Sequence, residues 1–224
     1  MKFEDIQIVR SARKTIGLEI QENGEILLRA PLRASERGLK AFVREKNAWL
    51  DKNVKKQKQS FAKRPRRRFE HGEEFLYLGD PIRLCIVEKS KKAFCWDVDF
   101  VLASNAQHKA ESIMKRWFKS RARFIFNDRA EFYAPLMGVG FENVKLSSAK
   151  TRWGSCGSKN TLNFNWRLVM APMEVIDSVV IHELAHCKHK NHGKHFWKLV
   201  TNHCPNYKRH DRWLKKNSPL LHWD

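Results

Sequence analysis

No stretch of this chain approaches the roughly 20 apolar residues that a membrane-spanning helix needs, so no membrane partner is expected. The opening MKFEDIQIVR is charged and has no long apolar segment of the kind that heads a secreted chain. Cysteine is scarce, five residues at 85, 95, 156, 187 and 204, an odd and scattered set without a CxxC pair. That pattern argues against a disulfide framework and for reduced thiols in a cytoplasmic protein. Acidic residues are few, 24 against 44 lysines and arginines, which leaves a formal net charge of +20. Such a surface attracts polyanions (nucleic acid, nucleotides, anionic membranes) without naming one. Apart from a loose succession of hairpins the chain shows no internal repeat.

What is present is enough for a real core: 42% hydrophobic residues, including 14 Phe and 8 Trp, in 224 residues. That length suits one large or two small domains. Strands are expected at Ile6–Val9, Thr15–Ile20 and Glu25–Ala30, as a hairpin or meander with a turn at Glu22-Asn23-Gly24. From Ser35, a plausible N-cap, to about Gln59 the apolar spacing becomes helical through Leu39, Phe42, Val43, Trp49, Leu50 and Val54. Phe69–Phe100 reads as β again: Phe75–Leu78 and Ile82–Val87 about a Gly79-Asp80 turn, then a further strand at Ala93–Leu102 after a loop tip at Lys89–Lys92. Asn105 to about Leu136 is a long helix whose apolar stripe runs through Ala110, Ile113, Met114, Trp117, Phe118, Phe124, Ile125 and Phe132, ended by Pro135 and Gly138.

The remainder is expected as short strands at Asn143–Ser147, Lys150–Trp153 and Thr161–Phe164, with Gly154–Ser158 as a turn. A helix follows from Pro172 to about Lys190, then helices at Lys194–Asn202 and Tyr207–Lys216. The fold class is therefore α+β. A boundary near residue 104 separates a β-rich basic accessory region with one amphipathic helix, 1–104, from a helix-rich region with a small sheet, 105–224.

Arg33 to Arg68 carries 14 lysines and arginines against 3 acids and ends in Lys63-Arg-Pro-Arg-Arg-Arg68. The plain reading is a solvated helix face and a charged linker. The sharper one is a polyanion or nucleic-acid contact, since clustered cations release counterions from phosphate.

The stretch with chemistry in it is His182-Glu-Leu-Ala-His186-Cys-Lys-His-Lys-Asn-His192-Gly. Residues i and i+4 of a helix share a face, so His182 and His186 can offer two imidazoles to one ion. Glu183, turned away from them, can reach a water on that ion and act as general base. His189 shares the face, but about 10 Å of helical rise separates it from His182, too far for bonds of about 2 Å to one zinc. His192 is better placed, because Asn191 can stop the helix and Gly193 can take a positive φ, turning the chain back. The expected ligands are His182, His186 and His192, with water in the fourth position. Zn2+ is the expected ion, another divalent metal being the alternative.

No oxyanion stabiliser stands out among Arg152, Arg167, Tyr207, His189 and His195, each of which has an ordinary structural role open to it. Asp177 reads as a surface acid, or as a carboxylate holding a ligand's second nitrogen. Cys156 reads as a turn residue, with a fourth metal ligand as the alternative. Cys187 reads as packed, and Phe196 and Trp197 as braces of the His192 turn. Thr161–Phe164 is the strand to which an extended substrate would add.

Taken together, Arg152-Trp-Gly-Ser-Cys156, Phe164-Asn-Trp-Arg-Leu168, His182–His186 with Asn191-His192, Phe196-Trp197 and Pro205-Asn-Tyr-Lys208 resemble the YgjP-like metallopeptidase family. The core is similar to the SprT-like and WLM metalloprotease domains. Weaker echoes at Gly24–Pro31, Lys46–Leu50 and Tyr77-Leu-Gly79 extend the resemblance over nearly the whole chain. It implies a zincin-like catalytic half, with His182, His186 and His192 as ligands and Glu183 as base; the expected substrate is a peptide or protein, or a nucleotide, since some members of the family are linked to nucleoside triphosphate hydrolysis. The alternatives are a metal-dependent nucleoside triphosphate pyrophosphatase or phosphohydrolase, for which the basic surface would attract the nucleotide, and a nucleic-acid-recruited protease.

Overall fold

The computed structural model describes residues 3–149 and 151–222. It is mixed α+β and divides into two compact units, Met1–Pro65 and Arg66–Asp224. No helix among the described residues is long and apolar enough to cross a membrane.

In the first unit, β1 (Gln7–Ser11), β2 (Gly17–Ile20) and β3 (Ile26–Pro31) form a sheet in the order β1-β3-β2. β2 and β3 make the expected hairpin, with Gly24 at φ 86° in its turn, but β1 lies parallel to β3 rather than beside β2. The single helix expected from Ser35 is two, α1 (Glu36–Glu45) and α2 (Asn47–Ala62). Ser35 caps the first, its hydroxyl accepting from the Gly38 N–H at 3.2 Å. The interruption is one residue, Lys46, whose ψ of 4° leaves the helical region. Leu39, Val43 and Leu50 all stay buried against Ile26, Leu28 and Ala30, so apolar spacing alone could not show the break.

The second unit begins with β4 (Glu74–Tyr77), β5 (Asp80–Val87), β6 (Phe94–Trp96) and β7 (Phe100–Ala103), ordered β4-β5-β7-β6. The strand expected over Ala93–Leu102 is thus a hairpin, β6 and β7. Then come α3 (Ala110–Met137), β8 (Val144–Ser147), β9 (Gly154–Cys156) and β10 (Leu162–Asn165), α4 (Met173–Lys188), α5 (Lys194–His203) and α6 (Tyr207–Asn217). The small sheet is ordered β8-β10-β9, β8 parallel and β9 antiparallel to β10. The segment read as a turn, Gly154–Cys156, is therefore a strand. Of the strand expected at Lys150–Trp153, Lys150 lies outside the described residues and Thr151–Trp153 is irregular.

The boundary expected near residue 104 falls inside one core. Phe75, Leu84, Phe100 and Leu102, before it, pack in the same buried cluster as Met114, Phe118 and Phe126, after it. Strand gives way to helix near 104, but packing changes at 65. α3 runs through this core and stops at Gly138, whose φ of 62° supplies a left-handed cap. Phe124 and Phe132, expected on its buried stripe, are 62% and 52% exposed. Alanines 122, 130 and 134 occupy the buried face instead, while Arg121 and Arg129 cover the two phenylalanine rings at 5.3 and 4.8 Å.

Two ties fix α4. The tip of the β4–β5 hairpin docks just ahead of it, the Leu78 and Gly79 N–H groups donating to the Val169 and Met170 carbonyls. A Cβ on Gly79, which has φ 95°, would lie 2.8 Å from Pro172, so the close approach and the turn both require glycine there. Asp177, on α4, accepts from Arg129 of α3 at 2.6 and 2.9 Å and from the Tyr133 hydroxyl at 3.0 Å. With 21% and 15% of the two side chains exposed, leaving one member of such a pair unpartnered costs on the order of 1–3 kcal/mol. Asp177 is thus a clamp between α3 and α4.

Candidate metal centre

α4 is built to hold a polar face still. Val175, Ile176, Val180, Ile181, Leu184 and Ala185 are buried, each large apolar side chain contributing roughly 1.5–3 kcal/mol to docking the helix. On the remaining face the four-residue spacing brings the rings of His182 and His186 to 5.1 Å. The helix ends at Lys188, and His189 leaves it in extended conformation (φ −125°, ψ 101°). The reversal that returns His192 differs from the expected one. Gly193 has φ −77°, not a positive value, and caps the start of α5, while its N–H closes a tight turn on the Asn191 carbonyl at 2.8 Å.

The result brings three imidazoles together. Their ligand atoms lie within 4.8 Å of one another, with Nε2 of His192 3.1 Å from Nε2 of His182. Nitrogens bound at about 2.0–2.1 Å in a tetrahedral zinc site are about 3.4 Å apart, so the set fits one such ion. His189 contributes its backbone rather than its ring: its carbonyl lies 3.1 Å from Nδ1 of His186. A carbonyl can only accept, so Nδ1 carries the proton and Nε2 keeps the lone pair a metal needs. The His189 ring stacks on His195 at 6.1 Å. Phe196, fully buried, lies 4.6–5.0 Å from all three histidine rings. Trp197 packs on His182 and His192 and stacks on Tyr207 at 4.9 Å.

Electrostatics favours the neutral, ligating form of the histidines. Burial, helped by the neighbouring imidazoles, pulls His182 down to about 4, and burial also lowers His186. Glu183 is 6% exposed. Burial pushes its carboxyl up to about 7 against the opposing pull of Arg152.

Opposite Glu183 stands Gly154 of β9. A Cβ there would sit 2.6 Å from both Cγ and Oε1 of Glu183 and 2.9 Å from Cδ. The carboxylate occupies the space a side chain at 154 would fill. Sequence reasoning missed this glycine by assigning it to a turn, and the only signal was its place inside Arg152–Cys156.

The other candidates fall elsewhere. The guanidinium of buried Arg167 lies 4.7 Å over the Trp166 ring. Cys156 and Cys187 face each other at 3.8 Å between β9 and α4, and Cys156 is not in the three-histidine group. Of the basic run, Arg64 pairs with Glu22 at 2.9 Å, while Arg67 donates to Glu73 and the Glu74 carbonyl and covers the Phe75 ring. Those two arginines are structural ties.

Two solved structures bear a distant likeness to the chain. The metallopeptidase zymogen abylysin of Pyrococcus abyssi is 22% identical, covering 43% of this chain and 99% of that one with a TM-score of 0.39. The zymogen jannalysin of Methanocaldococcus jannaschii is also 22% identical, covering 41% and 95% with a TM-score of 0.35. No curated protein matches. The family description "YgjP-like, metallopeptidase domain" matches residues 14–217, spanning the clamp, the small sheet and all three histidines. The chain is a member of the YgjP-like metallopeptidase family.

Proposed function

We propose that the chain is a zinc-dependent peptidase in which His182, His186 and His192 hold the ion and Glu183 is the general base. The observation that carries this reading is the convergence of three imidazoles with a buried carboxylate one position along the same helix. A divalent ion bound there would supply Lewis acidity, polarising the scissile carbonyl and lowering the pKa of water towards about 7. The work of the chain itself is proton transfer. Glu183 takes a proton from the attacking water and returns it to the leaving amine, a task for which its place one residue along α4 from His182 suits it.

An extended substrate would add to β9. The expected strand, Thr161–Phe164, corresponds to β10, which is paired on both sides and has no free edge. β9 has β10 on one side only among the described residues, and its Gly154 abuts Glu183. A strand laid on that edge would pass the carboxylate. This favours peptide over nucleotide as substrate. Arg152 acts electrostatically on Glu183 and Lys190 on His186, whereas the strand edge beside Glu183 is a feature that a peptide, not a triphosphate, would use. The exposed remainder of Arg33–Arg68 is left as the polyanion-facing surface of a nucleic-acid-recruited variant of the same enzyme, and the five free cysteines suit a reducing, cytoplasmic setting.

The test pairs unfolded casein with a panel of nucleoside triphosphates, using zinc-loaded wild type beside Glu183→Gln. Casein fragments that depend on Glu183 are expected, and pyrophosphate or phosphate release that depends on Glu183, without casein cleavage, would replace the peptidase reading.

Gly154→Ala is expected to lower kcat about 100-fold, as a displacement of about 1 Å can, while zinc content stays at the wild-type level. The flexible end of Glu183, not backbone, is what must move. If Gly154 acts through Glu183, adding Gly154→Ala to Glu183→Gln lowers the residual rate no further. Additive losses would mean that the glycine matters for another reason.

A further inference from the structure

A second polar concavity lies away from the three histidines, between α3 and the end of β8. It measures about 430 Å³ and is lined by Arg116, Lys119 and Arg123 from the helix, Ser147 and Ser148 from the strand end, and Trp166. No carboxylate lines it. The three cations recur at i, i+3 and i+7, which places them on one face of α3. None of them has an ion-pair partner among the described residues, whereas their neighbours Lys115 and Arg129 are paired to Glu111 and Asp177.

We propose that this groove binds phosphate oxygens of a phosphoanhydride or phosphodiester chain. Arginine forks match the tetrahedral oxyanion bidentately, lysine adds a point charge, and serine hydroxyls donate from the opposite wall. The row from Arg116 to Arg123 spans about 10 Å of helix, longer than one phosphate reaches, so successive phosphates fit better than a lone ion. Trp166 is 2% exposed and offers no face on which a base could stack. The groove therefore reads the backbone charge and not the base.

The site is separate from the proposed catalytic cleft. In the β8-β10-β9 sheet Leu146 is level with Phe164 and Phe164 with Gly154, so two strand spacings, about 10 Å, lie between the groove's strand and the one facing Glu183. A ligand held here leaves the free edge of β9 open. The proposal does not depend on the peptidase reading.

The experiment compares full-length wild type with two triple variants of equal charge change. Arg116→Gln/Lys119→Gln/Arg123→Gln empties the groove of cations, and Lys89→Gln/Lys91→Gln/Lys92→Gln removes three exposed charges from the loop after β5. All six residues are exposed, so both variants are expected to melt close to wild type. Calorimetric titrations use inorganic pyrophosphate in one arm and a single-stranded DNA oligonucleotide in the other, each at two salt concentrations. Saturable binding of at least one probe is expected, weakened ten-fold or more in the α3 variant and less than two-fold in the loop variant. Pyrophosphate binding would identify a free phosphoanhydride as the ligand, and binding of the oligonucleotide alone a nucleic-acid backbone with a reduced salt slope in the α3 variant. Equal weakening in both variants would reduce the effect to net charge and overturn the site, as would the absence of saturable binding of either probe.

Discussion

Glu183→Gln is expected to lower turnover of an unfolded protein substrate by about 100- to 10,000-fold, the range over which a positioned general base acts. Glutamine fills the same volume, which matters because Glu183 is nearly enclosed and lies against Gly154. The amide cannot accept a proton at neutral pH. It can still occupy the space between α4 and β9, so the fold and the three imidazoles should be undisturbed. The substitution therefore separates chemistry from architecture: zinc content and melting temperature stay at wild-type values while kcat falls. Turnover that survived would remove Glu183 from the mechanism whatever the metal does.

His192→Ala is expected to abolish most metal binding, for a different reason. His182 and His186 come from one helix and present two nitrogens along one line. His192 returns from beyond the helix end and closes the set, its Nε2 3.1 Å from that of His182. Removing it leaves a two-ligand site with no third donor in the group. The protein should remain folded, because His192 is exposed and the buried support of the turn is Phe196. His189→Ala is the matching control. The contact that His189 makes to His186 uses its carbonyl, which alanine keeps, so metal binding should survive.

Much of this centre could be read from spacing. The i, i+4 relation brings His182 and His186 together, whereas the rise argument against the His189 ring takes α4 to run on to about Lys190, and His189 has already left the helix. The return of His192 was legible as a need but not as a conformation. Gly193 is extended, and the turn is made by His189 leaving the helix and by the Gly193–Asn191 hydrogen bond. Glu183's neighbour was not legible, because three residues of strand rich in glycine and serine carry no alternation to recognise. Their pairing with β10 is decided by partners elsewhere in the chain.

The same physics explains the misplaced boundary and helix face. β-character gives way to helix near residue 104, but a core is defined by what packs together, and Phe100 and Phe118 approach to 5.6 Å across that point. Phe124 and Phe132 satisfy a hydrophobic count on α3, yet their rings lie under arginines on the outer face. Alanine fits the tighter inner one. The parallel pairing of β1 with β3 is likewise a long-range choice that local pattern does not encode.

The most direct test of the account is the metal content of three proteins, purified alike, loaded with zinc and dialysed: wild type, His192→Ala and His189→Ala. The arrangement of His182, His186 and His192 calls for about one zinc per chain in wild type and in His189→Ala, and little in His192→Ala. Zinc retained by His192→Ala and lost from His189→Ala would contradict the three-histidine centre.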